Sequence, residues 1–164
     1  MSLSQNLIEE LKQEADLTRK ILERVPGDKL HWKPHEKSMS IGRLATHLTE
    51  TIRWVTEIQS TNEYDFAAKP FKAYVVTDTT ELLTLFDTRV NDALASLTKL
   101  SDDDSEQLWS VRRGEHVLAT MARRKAIRSW ALSHHIHHRG QLSVFLRLLD
   151  IPVPGMYGPS ADER

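Results

Sequence analysis

The sequence predicts an all-α fold, a four-helix bundle formed by a single domain over residues 1–164. Three observations lead to this prediction. Four segments of more than 20 residues repeat apolar residues at spacings of three and four. Proline, glycine or acidic clusters separate these segments. No alternating β-branched run is long enough to indicate a strand. Amphipathic helices joined by loops favour a bundle around one core.

The first helix is predicted over 3–25, and Pro26-Gly27-Asp28 ends it. The segment 29–39 has mixed polarity and contains a proline, so it is predicted as a loop. Ser40 is a plausible N-cap for the second helix, predicted over 40–60. The apolar stripe of that helix consists of Ile41, Leu44, Leu48, Ile52 and Val55.

The third helix follows a connection over 61–77. Asp78-Thr79-Thr80-Glu81 has the spacing of a capping box, with Asp in place of Ser or Thr, and the helix is predicted to continue to Leu100. The acidic segment 101–105 is predicted as a break that opens one short helical turn.

The fourth helix is predicted over 121–149, and Pro152 and Pro154 end it. The preceding segment 109–119 is interpreted as a link with a turn at Gly114.

The overall composition excludes several classes of function. Because the net charge is −1, general electrostatic binding of nucleic acid is not expected. No apolar run approaches the roughly 20 residues that span a bilayer, and residues 1–6 lack the features of a signal peptide. A cytoplasmic protein is therefore expected. The chain has no cysteine, so any metal ion must be held by histidine and carboxylate.

A cluster of histidines in the fourth helix is the strongest candidate for a functional site. His134, His135, His137 and His138 lie within five positions. Two of them, His134 and His138, fall on the predicted core-facing seam, four residues apart, so both imidazoles can reach one ion. His135 is rotated by roughly 100° and is predicted, with His137, to be a surface residue or a neighbour of the site; His137 is the fallback ligand. The seam consists of Ile127, Ala131, His134, His138, Leu142, Phe145 and Leu149.

A third ligand must come from another helix, and His47 is the best candidate because it borders the apolar stripe of the second helix. Lysines flank His31 and His35, which disfavours a bound cation there, and His116 lies in a link. A histidine on a core-facing seam can equally be a hydrogen-bonded core residue, so this alternative stays open.

Further residues have candidate roles beside the cluster. Gln141, Glu50 and His137 are within reach to orient the imidazoles. Arg139 could pair with an acidic substrate group or form a surface salt bridge. Tyr157 could line a pocket or simply pack.

Three separated pieces of sequence carry a resemblance to a known family. The first is Lys33-Pro34-His35 with Ser38, followed by residues 41–48 (IGRLATHL); the second is residues 134–142; the third is the tail 152–162. With these pieces in this order, the chain resembles the DinB-like proteins, a superfamily of metal-dependent, damage-inducible four-helix bundles.

The resemblance implies a bundle with a long crossover connection, frequent homodimerisation and a divalent metal ion, usually nickel or zinc. The three metal-binding histidines of the family map onto His47, His134 and His138. Relatives include thiol-dependent transferases and isomerases that use bacillithiol, mycothiol or glutathione. Apolar residues off the seams give weak support for a homodimer: Leu83, Leu94, Val144 and Leu148.

Three imidazoles leave coordination positions open, which is typical of a catalytic metal site. Such an ion lowers the pKa of a bound thiol or water, and the thiol must be external because the chain lacks cysteine. The first hypothesis is therefore a metal-dependent thiol S-transferase acting on a low-molecular-weight thiol and an electrophilic small molecule. The alternative is a non-catalytic, metal-stabilised bundle acting in stress response or interaction. A metal hydrolase ranks last because no carboxylate base is evident, and the sequence identifies no catalytic residue.

Overall fold

A computed structural model describes residues 2–70 and 72–163, and most of them are helical. No helix in these ranges is both long enough and apolar enough to cross a lipid bilayer. In chain order the elements are α1 (Leu3–Leu22), a 3-10 turn (Gly27–Lys29), α2 (Ile41–Ser60), β1 (Glu63–Asp65), α3 (Thr79–Leu97), α4 (Asp102–Glu106), β2 (Leu108–Arg113), β3 (His116–Ala122), α5 (Arg123–Ala126), a π-helical segment (Ile127–Ser133), α6 (His134–Leu148) and a 3-10 turn (Ala161–Glu163).

Side-chain caps explain where α2 and α3 begin. The Ser40 hydroxyl accepts a hydrogen bond from the backbone N–H of Arg43 at 3.1 Å, as predicted. Asp78 accepts one from the backbone N–H of Glu81 at 2.8 Å. In a full capping box the Glu81 carboxylate would accept a hydrogen bond from the backbone N–H of the N-cap residue Asp78. It accepts one from the backbone N–H of Thr77 instead, at 2.7 Å, so the capping box is only half formed.

The long helices enclose one apolar core. The helix α2 packs against α3 on one side and against α6 and the π-helical segment on the other, and α1 contacts α3 and α6. The largest fully buried side chains of α1, α2 and α3 are aliphatic or aromatic: Leu11, Ile21, Leu22, Ile41, Leu44, Leu48, Ile52, Ile58, Leu82 and Phe86.

A three-stranded sheet corrects the all-α prediction, so the fold is mostly helical with a small sheet. Its order is β1-β2-β3, with β1 parallel to β2 and β2 antiparallel to β3. Gly114, at φ +60°, lies in the turn between β2 and β3, where the sequence indicated a turn. The pattern of β2 was too short to detect, because only Trp109 and Val111 point inward.

Aromatic side chains fasten the sheet to the helices. The Trp109 ring lies edge-on to Trp54 of α2 at 6.2 Å and to Trp130 of the π-helical segment at 6.4 Å between centroids. Its indole N–H donates to the hydroxyl of Thr61 at 3.2 Å. The sheet therefore braces α2 and the last helical segment next to the histidine cluster.

The π-helical segment changes the face that the last helix turns to the core. A π-helix bonds residue i to i+5, so its turn is wider than that of an α-helix. Four residues of the predicted seam are buried: Ile127, Ala131, His138 and Leu142. Beyond the π-helical segment, however, His135, Arg139 and Leu146 are buried more completely than the seam residues His134, Phe145 and Leu149. This face consists of Ile127, Ala131, Leu132, His135, His138, Arg139, Leu142 and Leu146.

Candidate metal centre

The three histidines predicted as metal ligands lie together. His47 on α2 and His134 and His138 on α6 each offer one ring nitrogen, and these atoms all lie within 4.8 Å of one another. The Nε2 atoms of His134 and His138 are 2.8 Å apart. The centroid of the His47 ring is 4.6 Å from that of His138 and 5.2 Å from that of His134. The cluster could hold a metal ion.

Each imidazole of the cluster is oriented by a hydrogen bond on its other side. His47 Nδ1 lies 2.8 Å from Glu50 Oε2, and His138 Nδ1 lies 2.7 Å from Gln141 Oε1. The ring of His134 is hydrogen-bonded to the backbone of Trp130, in the π-helical segment. An acceptor at Nδ1 fixes the proton there and leaves the Nε2 lone pair free. Glu50 and Gln141 were predicted to orient the imidazoles, and both residues form these hydrogen bonds.

The protonation of the cluster suits metal binding. Burial, together with the nearby His47 and His134, lowers the pKa of His138 from 6.5 to about 4, although the bond to Gln141 opposes this shift. Burial and the charge of His47 also lower the pKa of His134. Both rings are therefore neutral near pH 7, and the neutral imidazole is the form that binds a metal ion.

Glu50 is held from two sides. Its Oε2 accepts hydrogen bonds from His47 and, at 2.7 Å, from Nη2 of Arg43. The side chains of His47 and Glu50 are 15% and 19% exposed, so the carboxylate is largely shielded from water. The ion pair with Arg43 keeps the carboxylate in place as the acceptor for the His47 imidazole.

A cavity of about 340 Å³ adjoins the cluster at His138 and Gln141. Its remaining walls are mainly apolar and come from the loop before α2, from α2 and from α6: Ser38, Met39, Leu44, Val144 and Phe145. Of the three clustered histidines, His138 alone lines this cavity.

His135 does not occupy the flanking position that was predicted for it. It is 0% exposed, and its ring lies between the hydroxyls of Thr18, 2.7 Å from Nε2, and Thr51, 2.8 Å from Nδ1. Since the Thr51 hydroxyl donates to the carbonyl of Leu48, Nδ1 is the donor and Nε2 accepts from Thr18. His135 is therefore a neutral, hydrogen-bonded core residue.

Arg139 has neither of its two predicted roles. Its side chain is buried and forms an ion pair with Glu14 of α1 at 2.5 Å, so it is neither a surface salt bridge nor exposed to a substrate. The Tyr157 hydroxyl accepts from Arg139 and donates to Glu14 at 2.8 Å, which ties the C-terminal tail to α1 and α6. Tyr157 is 64% exposed, so its hydroxyl anchors the tail while its ring does not pack in the core.

The other histidines lie outside the cluster. His31, His35, His116 and His137 are exposed. The ring centroid of His137 is 5.0 Å from that of His138, but no hydrogen bond between them is found in the described part of the chain. His137 therefore does not orient His138, and it offers a natural control for mutagenesis.

Comparison with known proteins agrees with the resemblance seen in the sequence. The chain is 25% identical over 150 residues to the uncharacterized protein YrdA of Bacillus subtilis (strain 168), covering 92% of this chain and 85% of YrdA. It is 25% identical over 149 residues to the uncharacterized protein YjoA of the same organism, covering 90% of this chain and 91% of YjoA.

Solved structures share the fold. A DinB-like protein from Bacillus cereus ATCC 10987 matches with a TM-score of 0.70 and 20% identity, over 89% of this chain and 92% of that protein. The YjoA structure matches with a TM-score of 0.71 and 18% identity, over 97% and 99% of the two chains. A model of the DinB family matches residues 1–164. The chain therefore belongs to the DinB family.

Proposed function

We propose that His47, His134 and His138 hold one divalent metal ion, zinc or nickel, and that the protein is a metal-dependent thiol S-transferase. The observation that carries this proposal is the convergence of three ring nitrogens within 4.8 Å. Hydrogen bonds at Nδ1 of His47 and of His138, and a backbone hydrogen bond to the His134 ring, support it.

The residues present fit such an ion. Imidazole nitrogens suit zinc and nickel alike, and the low pKa values of His134 and His138 keep their lone pairs available at neutral pH. Three protein ligands leave coordination positions open, which favours a catalytic over a structural site. When bound, the ion would act as a Lewis acid that lowers the pKa of a thiol.

The chain supports a small thiol and an electrophile as substrates. It contains no cysteine, so the sulfur must come from a low-molecular-weight thiol such as bacillithiol, mycothiol or glutathione. The apolar walls beside His138 would bind the electrophile through its apolar part. In the proposed transfer, the thiol gives its proton to water and its sulfur bonds to the electrophilic carbon, while the bond from that carbon to the leaving group breaks and the leaving group departs with its electrons.

Metal binding is tested first, by elemental analysis of the purified protein. We expect about one zinc or nickel ion per chain. The ion should be lost in His47→Ala and in His138→Ala and retained in His137→Ala, which removes an exposed neighbour on the same helix. Equal metal content in all three variants would refute the assignment of the ligands.

Catalysis is tested separately, with the metal-loaded protein. Conjugation of an alkylating fluorophore to glutathione, bacillithiol and mycothiol should exceed the uncatalysed rate for at least one thiol. It should fall to background in His138→Ala, whereas His137→Ala should keep its activity. If the loaded protein accelerates none of the three reactions, the transferase proposal fails even if metal is bound.

A second candidate function is the non-catalytic, metal-stabilised bundle. One observation favours it: the ligands come from two different helices, so an ion would cross-link α2 to α6. Metal at about 100 times its Kd adds about 2.7 kcal/mol to the stability of the folded state. A chelator should then lower the Tm of the wild type and leave that of His138→Ala unchanged. A large Tm effect without conjugating activity would favour this candidate over the transferase.

We also propose that the protein is a homodimer that uses the outer face of α6. Val144 and Leu148 lie one turn apart and are 56% and 57% exposed. Large apolar side chains exposed together on one face are typical of interaction surfaces. Sedimentation at micromolar concentration should show a species of twice the 18.8 kDa chain mass. The monomeric mass alone would refute the dimer.

A further inference from the structure

A second cavity, of about 540 Å³, lies between α2, α3 and the segment that connects them. It has no part in the proposed metal site apart from Glu50, which contributes to its wall. Its charged side chains are unbalanced, with four cationic and two acidic groups: Arg53, Lys69, Lys72, Arg89, Glu50 and Glu57.

The two acidic groups are already paired with other residues. Glu50 accepts from Arg43 and His47, neither of which lines this cavity. Glu57 forms an ion pair with Lys69 at 2.8 Å. The positive charge of the other cationic groups in the cavity is therefore not neutralised by its own acidic residues.

Arg53 on α2 and Arg89 on α3 are the two cavity residues that indicate what the cavity could bind. Both are partly buried, and no carboxylate in the described ranges lies within ion-pair distance of either guanidinium. Two guanidiniums without a carboxylate partner at one cavity leave an excess of positive charge there. A cavity lined by an excess of one charge attracts ligands of the opposite charge.

We propose that this cavity binds a small organic anion through a carboxylate or phosphate group held by Arg53 and Arg89. A guanidinium offers parallel N–H donors that match either group, and these two guanidiniums come from separate helices that line the same cavity. The buried ring of Tyr64 and the side chain of Leu85 provide apolar walls for the rest of the molecule. This site goes beyond the proposed metal-dependent function and does not require it.

The experiment is calorimetric titration of the full-length protein with succinate and with inorganic phosphate, at constant ionic strength. The two probes separate the carboxylate and phosphate classes. We expect saturable binding of at least one probe. Binding should weaken about ten-fold or more in Arg53→Gln and in Arg89→Gln and stay unchanged in Arg113→Gln. Arg113 is exposed on β2 and lies outside the cavity, so it is the matched control.

A metal ion could also attract these anions, so the same titration is made with His134→Ala. Unchanged binding in that variant supports the cavity, whether or not the protein binds a metal. Loss of binding in His134→Ala would place the anion at the histidines and overturn the proposal. The proposal would also be overturned if neither probe bound to the wild type, or if both Arg53→Gln and Arg89→Gln bound the probes as tightly as the wild type does. Both glutamine variants remove an unpaired charge and should fold, which circular dichroism checks. Arg89→Lys keeps the positive charge, so it should bind the anion more tightly than Arg89→Gln does.

Discussion

Acidification should destabilise this protein strongly, and His135 should account for a measurable share of the loss. Burial, with the nearby positive charge of Arg139, lowers the pKa of His135 from 6.5 to about 3. The ring is 0% exposed, and its neutral form satisfies Thr18 and Thr51 at the same time. A proton on Nε2 would remove the acceptor of the Thr18 hydroxyl, so the charged ring is opposed by both burial and hydrogen bonding.

The size of the effect follows from the two pKa values. Since the pKa is lower in the folded state, the unfolded chain binds the extra proton between about pH 6.5 and pH 3. The contribution to stability is therefore complete above pH 6.5 and declines as the pH falls, by about 1.4 kcal/mol per pH unit. At about pH 5 the loss from His135 alone is about 2 kcal/mol relative to pH 8.

The assay is urea unfolding at several pH values between about 5 and 8, with a chelator present so that metal binding does not contribute. His134 and His138 also have lowered pKa values and add to the loss in the wild type. The comparison is therefore with His135→Gln, which cannot titrate in this range. The variant should be less stable at pH 8, and its free energy of unfolding should fall about 2 kcal/mol less between pH 8 and pH 5. Parallel pH profiles for wild type and variant would refute the reasoning.

Three further changes have outcomes that follow from single contacts. In Gly42→Ala the new Cβ would lie 2.8 Å from the carbonyl oxygen of Leu30, so the loop must shift, and urea unfolding should show a loss of about 1–3 kcal/mol. Arg139→Met leaves Glu14 buried without its partner and should cost about 3–5 kcal/mol, whereas adding Glu14→Leu should recover most of it; no recovery would contradict this account. Gln141→Leu removes the acceptor of one ligand imidazole and should weaken zinc binding about 10-fold to 100-fold in a competitive chelator titration.

The long helices could be predicted from the sequence because their caps and apolar spacings are local patterns. Ser40 and Asp78 cap the helices as predicted, and α2 begins and ends within one residue of its predicted bounds. The sheet was missed although its β2–β3 hairpin is local and a turn at Gly114 was predicted, because β2 has only two inward-facing apolar residues and β3 is largely exposed. The third strand, β1, pairs with β2 from 47 residues earlier in the chain. Pairing between distant segments depends on tertiary contacts, which composition and periodicity do not record.

The histidine cluster could be predicted from the sequence, whereas the full register of the last helix could not. The pair His134 and His138 needs only the i, i+4 geometry of one α-helical turn, and that turn lies wholly within α6. To predict which residues face the core on both sides of His134, one also needs the number of residues per turn in the π-helical segment. The apolar pattern does not give that number. The predicted pair His134 and His138 lies together with His47, whereas His135 and Arg139 are buried and not at the surface or flanking positions predicted for them.

The same π-helical segment links the fold to the site. It supplies the Trp130 backbone group that bonds His134, and it carries the Trp130 ring that packs on Trp109 of the sheet. A π-helical turn is less favourable than an α-helical one and persists only where its surroundings compensate. Here it turns His135 into the core while His134 stays at the cluster. Of the two neighbours in sequence, one therefore stabilises the helix packing and the other is left free to bind an ion.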